Sequence, residues 1–236
     1  MKPIAIFNTD TIPDALARSH GQYPDMFIKS LLAVNAGLQF ARFDVNKQQY
    51  PTSLHDFSGV LITGSQSAAY DRDEWIAQLK ERIKTMASNE IPIVGICFGH
   101  QIIHQALGGE VAKAPGGWCV GVHHNQLTPV ATEFGAPGDS FALISSHQDQ
   151  VVKLAPNAQI LASTSNCPVA MTSVGDNILT FQGHPEFTRD YAKALMDKRR
   201  DAIGEPVYQA GVDSLDEPLH EMQVLQWMLN VFNRGQ

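Results

Sequence analysis

The segment that most constrains this chain is Ile91-Pro92-Ile93-Val94-Gly95-Ile96-Cys97-Phe98-Gly99-His100-Gln101-Ile102-Ile103-His104-Gln105-Ala106-Leu107-Gly108-Gly109. An apolar run meets G-x-C-x-G and passes without a linker into a helical pattern that stops at Gly-Gly. A strand turning this sharply into a helix strains the central residue, so both neighbours must be small, and Gly95 and Gly99 meet that need. The apex side chain then stands above the carboxyl edge of a sheet, where open α/β folds bind ligands. Cys97 would also head a helix, whose partial positive charge favours a thiolate. The alternative reading is a core cysteine in an ordinary tight turn.

A second signal is Gln182-Gly183-His184-Pro185-Glu186-Phe187, read as following a strand that ends at His184. In extended backbone, positions i and i+2 point the same way, so Glu186 can accept the imidazole N–H of His184. That bond sets the tautomer and leaves the second ring nitrogen for a nucleophile. For an isolated H-P-E the competing reading is a surface ion pair; a cysteine elbow upstream favours the chemical one.

Around these signals the chain reads as α/β. Apolar runs at 4–8, 38–43, 59–63 and 91–96 lack polar alternation, as expected of central strands covered on both faces. Helical stripes lie between them at 25–35 (Phe27, Leu31, Val34) and 73–88 (Trp75, Ile76, Leu79, Ile83, Met86). This order predicts an open, mostly parallel sheet flanked by helices. Beyond Gly109 the pieces shorten, with strands expected at 120–124, 141–145, 160–164, 169–172 and 178–182, an antiparallel extension of that sheet. Helices are expected at 189–202 and 219–233. With no repeat or long linker, the 236 residues read as a single domain, 1–236.

Composition narrows the function classes. Seventeen Lys and Arg against twenty-four Asp and Glu leave a net charge of −7, unsuited to tracking nucleic-acid phosphates. The one dense basic cluster, Lys198-Arg199-Arg200, reads as a solvated helix face. No apolar run approaches a membrane span, and the opening residues do not resemble a secretory h-region. Cys97, Cys119 and Cys167 are too dispersed for a disulfide framework or a zinc knuckle. The expectation is a cytoplasmic protein with reduced thiols, no metal and no cofactor. His100 and His104 share a helix face without the Glu of H-E-x-x-H, and read as polar helix surface rather than metal ligands.

Taken together, G-I-C-F-G-H-Q and G-H-P-E resemble the two signatures of the class I, triad-type glutamine amidotransferases. The order of nucleophile, histidine and acid departs from the α/β-hydrolases, and Phe98 stands where PfpI-type proteases carry a histidine. The resemblance implies a flavodoxin-like sheet, with Cys97 as nucleophile, His184 as general base and acid, and Glu186 as its orienter. It also implies an oxyanion hole from the N–H groups of Gly64 and Phe98, although Thr63 and Ser65 depart from the usual Gly and Pro. Ser146-His147-Gln148-Asp149 is similar to the S-H-G-D segment of the GMP synthase amidotransferase domain. The resemblance therefore points to Gln101, His147 and Asp149 as substrate contacts. Gly183 departs from the family's frequent Phe. The closest branch in pattern is free-standing and includes γ-glutamyl peptidase-like proteins. The region 112–128, with Gly116-Gly117-Trp118, is a candidate rim for the substrate's α-amino and α-carboxylate groups.

The implied substrate is glutamine or another γ-glutamyl compound, cleaved to glutamate and ammonia or an amine. No G-x-x-x-x-G-K-[ST] loop is present to activate an acceptor. Three readings stay open: a glutaminase serving a separate synthase, a self-contained γ-glutamyl peptide hydrolase, and a non-catalytic binding relative.

Overall fold

The computed structural model describes residues 2–234. Five strands form the parallel part of its main sheet: β1 (Ile4–Asn8), β2 (Phe40–Asp44), β3 (Gly59–Ile62), β4 (Ile93–Ile96) and, far along the chain, β11 (Ile178–Phe181). They lie in the order β2-β1-β3-β4-β11. On β1, Ile4 and Ile6 enter one core while Ala5 and Phe7 enter another, the period of two expected for a strand buried on both faces. Helices α2 (Tyr23–Val34) and α8 (Glu221–Asn233) cover the first face through Phe27, Leu31, Trp227 and Phe232. Helices α3 (Glu74–Ser88) and α4 (Phe98–Ala106) cover the second through Ile76, Leu79, Ile83, Ile102 and Ile103.

Beyond β11 the sheet continues antiparallel through β10 (Met171–Val174), β9 (Ala158–Ser163), β6 (Cys119–Leu127) and β7 (Ser140–His147), giving nine strands. A third apolar cluster under β6 and β7 holds Val120, Ile144, Phe187, Tyr191 and Leu195, closed by α6 (Arg189–Ile203) and α7 (Glu205–Asp213). A separate two-stranded sheet pairs β5 (Glu110–Lys113) with β8 (Asp149–Lys153). The short helices α1 (Asp14–His20) and α5 (Pro129–Glu133) complete the fold.

The mostly parallel sheet with its antiparallel extension follows the sequence reading, with four corrections. β2 is the sheet edge and is only half-buried, because nothing pairs its outer side. β5, β8, α1 and α7 had no periodic signal long enough to register. β11 is not part of the antiparallel extension but pairs parallel with β4, and it ends at Phe181, so His184 lies in the loop beyond it and not at the strand's last position. His100 and His104 are fully buried against the sheet, where His100 Nδ1 meets Thr180 Oγ1 at 2.6 Å and His104 Nε2 meets Thr172 Oγ1 at 2.9 Å. Both ring nitrogens of His104 are bonded, the second accepting from Ala155 N–H at 3.1 Å, whereas His100 Nε2 is left without a partner among the described residues.

The register places three chain ends side by side. Ile62 pairs with Gly95, and Ile96 with Phe181, so β3, β4 and β11 finish at one edge and release Gly64, Cys97 and His184 there. The close approach demands glycine. A Cβ on Gly95 would sit 2.5 Å from Ile103 Cδ1 and 2.7 Å from Gly99 O, and one on Gly99 would strike the carbonyl oxygen of Ile62. Gly95→Ala is therefore expected to cost about 1–3 kcal/mol in urea unfolding. Gly116→Ala, whose Cβ meets nothing within 4 Å, should stay within about 0.5 kcal/mol of wild type.

Candidate active site

Cys97 sits at the apex with φ 53° and ψ −100°, in the positive-φ region that side-chain-bearing residues rarely adopt. Main-chain bonds hold it there. Its N–H donates to Phe181 O at 2.8 Å, its C=O accepts from Gln101 N at 3.0 Å, and Gly99 N–H donates to Thr63 O at 3.2 Å. The last bond fixes the Thr63–Gly64 peptide. Since N–H and C=O point oppositely across a trans peptide, anchoring the carbonyl on α4 turns the Gly64 N–H the other way. Thr9 reinforces this turn: its hydroxyl donates to Gly64 O at 2.8 Å, and its N–H donates to Thr63 Oγ1 at 3.1 Å. Thr63 thus has its own use for the hydroxyl where the resembling family carries Gly. Among the described residues, neither the Gly64 nor the Phe98 N–H has a protein acceptor.

His184 and Cys97 meet beside Gly64. A Cβ built on Gly64 would lie 3.1 Å from His184 Cε1 and 3.6 Å from Cys97 Cβ. His184 Nδ1–H donates to Glu186 Oε1 at 2.8 Å, with both side chains buried. The loop holding them is tied down by His184 N–H on Ile144 O at 2.8 Å. Phe187 stacks on the imidazole, centroids 3.8 Å apart and planes 12° from parallel. Gly183 is explained by packing: a Cβ there would come 3.1 Å from Leu143 Cβ.

Burial alone pushes the His184 pKa down, but the Glu186 carboxylate and then the Cys97 sulfur outweigh it and raise it to about 10. His147, equally buried but without a carboxylate partner, falls to about 3 through desolvation and the neighbouring His123 and His184.

A cleft of about 430 Å³ opens over Cys97, lined also by Gln101, His147, Asp149, Trp118, the 65–68 loop with Tyr70 and Asp71, and Arg199. The substrate contacts implied by the resemblance all reach it, but two are already engaged. Gln101 Nε2 donates to Asp149 O at 2.8 Å and to Gln182 Oε1 at 3.1 Å, which leaves only its oxygen. His147 Nδ1–H donates to Asp149 O at 3.2 Å, so its Nε2 is left as an acceptor. A larger cleft of about 860 Å³, bounded by 114–123, 150–152 and α7, shares Trp118 with the first.

Three contributors escaped the sequence reading. Thr9 had no motif, and Phe187 was visible only as an aromatic after H-P-E. Arg199 was assigned to solvent, although Ala192, Leu195, Met196, Arg199 and Ile203 fall on one helical stripe.

The cysteine turn, the paired histidine and glutamate and the doubly covered sheet define a class of protein that the comparisons with known proteins identify. Residues 16–199 match the family model of class-I glutamine amidotransferases, and the chain belongs to that family. It is 35% identical over 193 residues to γ-glutamyl peptidase 4 of Arabidopsis thaliana, covering 77% of this chain and 74% of the relative. A glutamine amidotransferase structure from Methylobacillus flagellatus superposes with a TM-score of 0.76 at 21% identity, over 99% of this chain and 94% of the other. A GMP synthase-like structure from Thermoplasma acidophilum gives 0.66 at 17% identity, over 99% and 95%. No helix among the described residues is long and apolar enough to cross a membrane.

The raised His184 pKa fixes the sign of a pH effect. A group whose pKa is higher folded than unfolded adds stability that is complete below its ordinary value, near 6.5, and disappears as pH climbs through about 10. The urea midpoint should fall across that window in wild type. In Glu186→Gln, which lacks the charge that raises the imidazole most, the decline should be shallower.

Proposed function

We propose that this chain, acting as one catalytic unit, is a cysteine-dependent hydrolase of γ-glutamyl amide bonds. Cys97 is its nucleophile, His184 its general acid and base, and Glu186 the group that orients the imidazole. The observation carrying this reading is the 2.8 Å bond between buried His184 Nδ1 and Glu186 Oε1, beside an apex cysteine. It sets the tautomer and directs Nε2 toward the sulfur.

Sulfur adds to the γ-carbonyl carbon, and the oxygen takes up negative charge between the N–H groups of Gly64 and Phe98. Preorganised donors of this kind are worth on the order of 3 kcal/mol each in the transition state. The C–N bond then breaks, and the nitrogen leaves with the proton that His184 gives it. Water, deprotonated by His184, cleaves the resulting thioester, releasing glutamate and restoring the thiol.

For the leaving group, an amino acid or peptide amine is favoured over ammonia. The relative at 35% identity is named a γ-glutamyl peptidase. The second cleft, which shares Trp118 with the first as a lining residue, offers room that ammonia does not require. Glutamine hydrolysis for a separate synthase is the second reading, supported by the family match.

Cys97→Ala should abolish turnover of γ-glutamyl dipeptides and of glutamine while leaving the unfolding free energy measured in urea within about 1.5 kcal/mol of wild type. Near-normal turnover by this variant would rule out the mechanism. His184→Asn is expected to lower kcat by about 10²–10⁴-fold, and Glu186→Gln by a smaller factor because it orients the base without touching substrate. Steady-state assays with γ-glutamyl dipeptide and glutamine side by side separate the two substrate readings. High partner-free turnover of the dipeptide supports the peptidase.

A further inference from the structure

We propose that Arg199 anchors a carboxylate of the substrate in the Cys97 cleft. This goes a step beyond the γ-glutamyl reading and rests on it.

Arg199 lies on the inward stripe of α6, half-buried, and lines the same cleft as Cys97. One guanidinium nitrogen, Nη1, donates to Ser146 Oγ at 3.1 Å, and the group lies 5.5 Å from the centre of the Trp118 ring. Two other cations of the helix are neutralised, Lys193 by Asp197 at 2.6 Å and Arg200 by Glu205 through two bonds, while Lys198 is exposed to water. Among the described residues no carboxylate pairs with Arg199. A guanidinium drawn partly out of water is costly unless an anion completes it.

Ser146 and Trp118 orient the guanidinium fork and leave donors unused, the arrangement that suits a planar carboxylate bound through two parallel bonds. Lys113, the other cation of the cleft, is exposed on β5. Lysine's compact, strongly hydrated charge is also less suited to bidentate recognition. Asp71 and Asp149 line the same cleft, so positive and negative groups together match the two charges of an α-amino acid head. A γ-glutamyl peptide offers two such carboxylates, one on the γ-glutamyl residue and one on the leaving amino acid. The same fork suits either.

The test compares wild type, Arg199→Gln and Arg199→Lys on γ-glutamyl-p-nitroanilide, which carries only the γ-glutamyl carboxylate, and on γ-glutamylglycine, which carries both. Arg199→Gln is expected to lower kcat/KM about 10- to 100-fold, mainly through KM, as for loss of a charged hydrogen bond. Arg199→Lys should recover only part of it. Loss on both compounds assigns the γ-glutamyl carboxylate, and loss on γ-glutamylglycine alone assigns that of the leaving residue. Unchanged kinetics on both would overturn the proposal.

Alkylation of Cys97 by iodoacetamide, a neutral reagent, should proceed at the wild-type rate in Arg199→Gln, which checks that the variant is folded around the cysteine. Protection from that alkylation by L-glutamate and by glycine, the two product carboxylates, gives a readout independent of turnover. If wild type hydrolyses neither compound yet either product protects it and not Arg199→Gln, the anchor stands and the hydrolase reading falls. If both products protect both proteins equally, or neither is protected, the anchor is refuted.

Discussion

One short main-chain contact governs the arrangement of the site: the Gly99 N–H on the Thr63 carbonyl, 3.2 Å across the gap between the start of α4 and the end of β3. It can form only because neither Gly95 nor Gly99 carries a Cβ. It fastens the cysteine turn to the adjacent loop, and Cys97 N–H on Phe181 O fastens the same turn to β11. Three strand ends, separated by long stretches of chain, are thereby locked together. The strained φ at Cys97 is tolerated because these bonds over-determine it. Loops elsewhere in such a fold can vary widely, but a shift here would move sulfur, imidazole and the Gly64 N–H relative to each other.

The buried histidines show how one environment produces opposite charges. His100, His104, His147 and His184 are all at most 4% exposed. Desolvation leads the causes that push the first three down, with His104 reaching about 4. Their partners are threonine hydroxyls and main-chain groups, which do not offset that desolvation. Only His184 among them faces a buried carboxylate, and Glu186, with the Cys97 sulfur beside it, reverses the direction. Phe187, stacked on the ring, contributes shape without charge and keeps water from the face it covers.

Much of this was legible in the order of residues. Four of the five parallel strands and their helices could be read because their apolar runs are punctuated, and the elbow because G-x-C-x-G between a strand and a helix has few other uses. β11 was read as a strand but placed in the antiparallel extension, since a strand's partner is set by packing across the sheet. β5 and β8 could not, since a four- or five-residue strand with mixed burial has no periodicity to detect. Lys198-Arg199-Arg200 misled because a run of charge was read as a unit. A helix turns each successive residue by about 100°, which sends Arg199 inward while its neighbours face water. His100 and His104 misled for the opposite reason: polar character was taken for exposure, and the threonines that make burial possible lie far along the chain.

The sequence by itself determined the α/β class, the strained turn at Cys97 and the proximity of His184 to Glu186, because each depends on steric and periodic rules acting over a few neighbours. Only the tertiary structure decided which strands would lie side by side, that β3, β4 and β11 would end at one edge, and that Arg199 would join the cleft over Cys97. Those juxtapositions arise from packing between segments tens of residues apart. Their free energy belongs to surfaces that exist only once the sheet has formed.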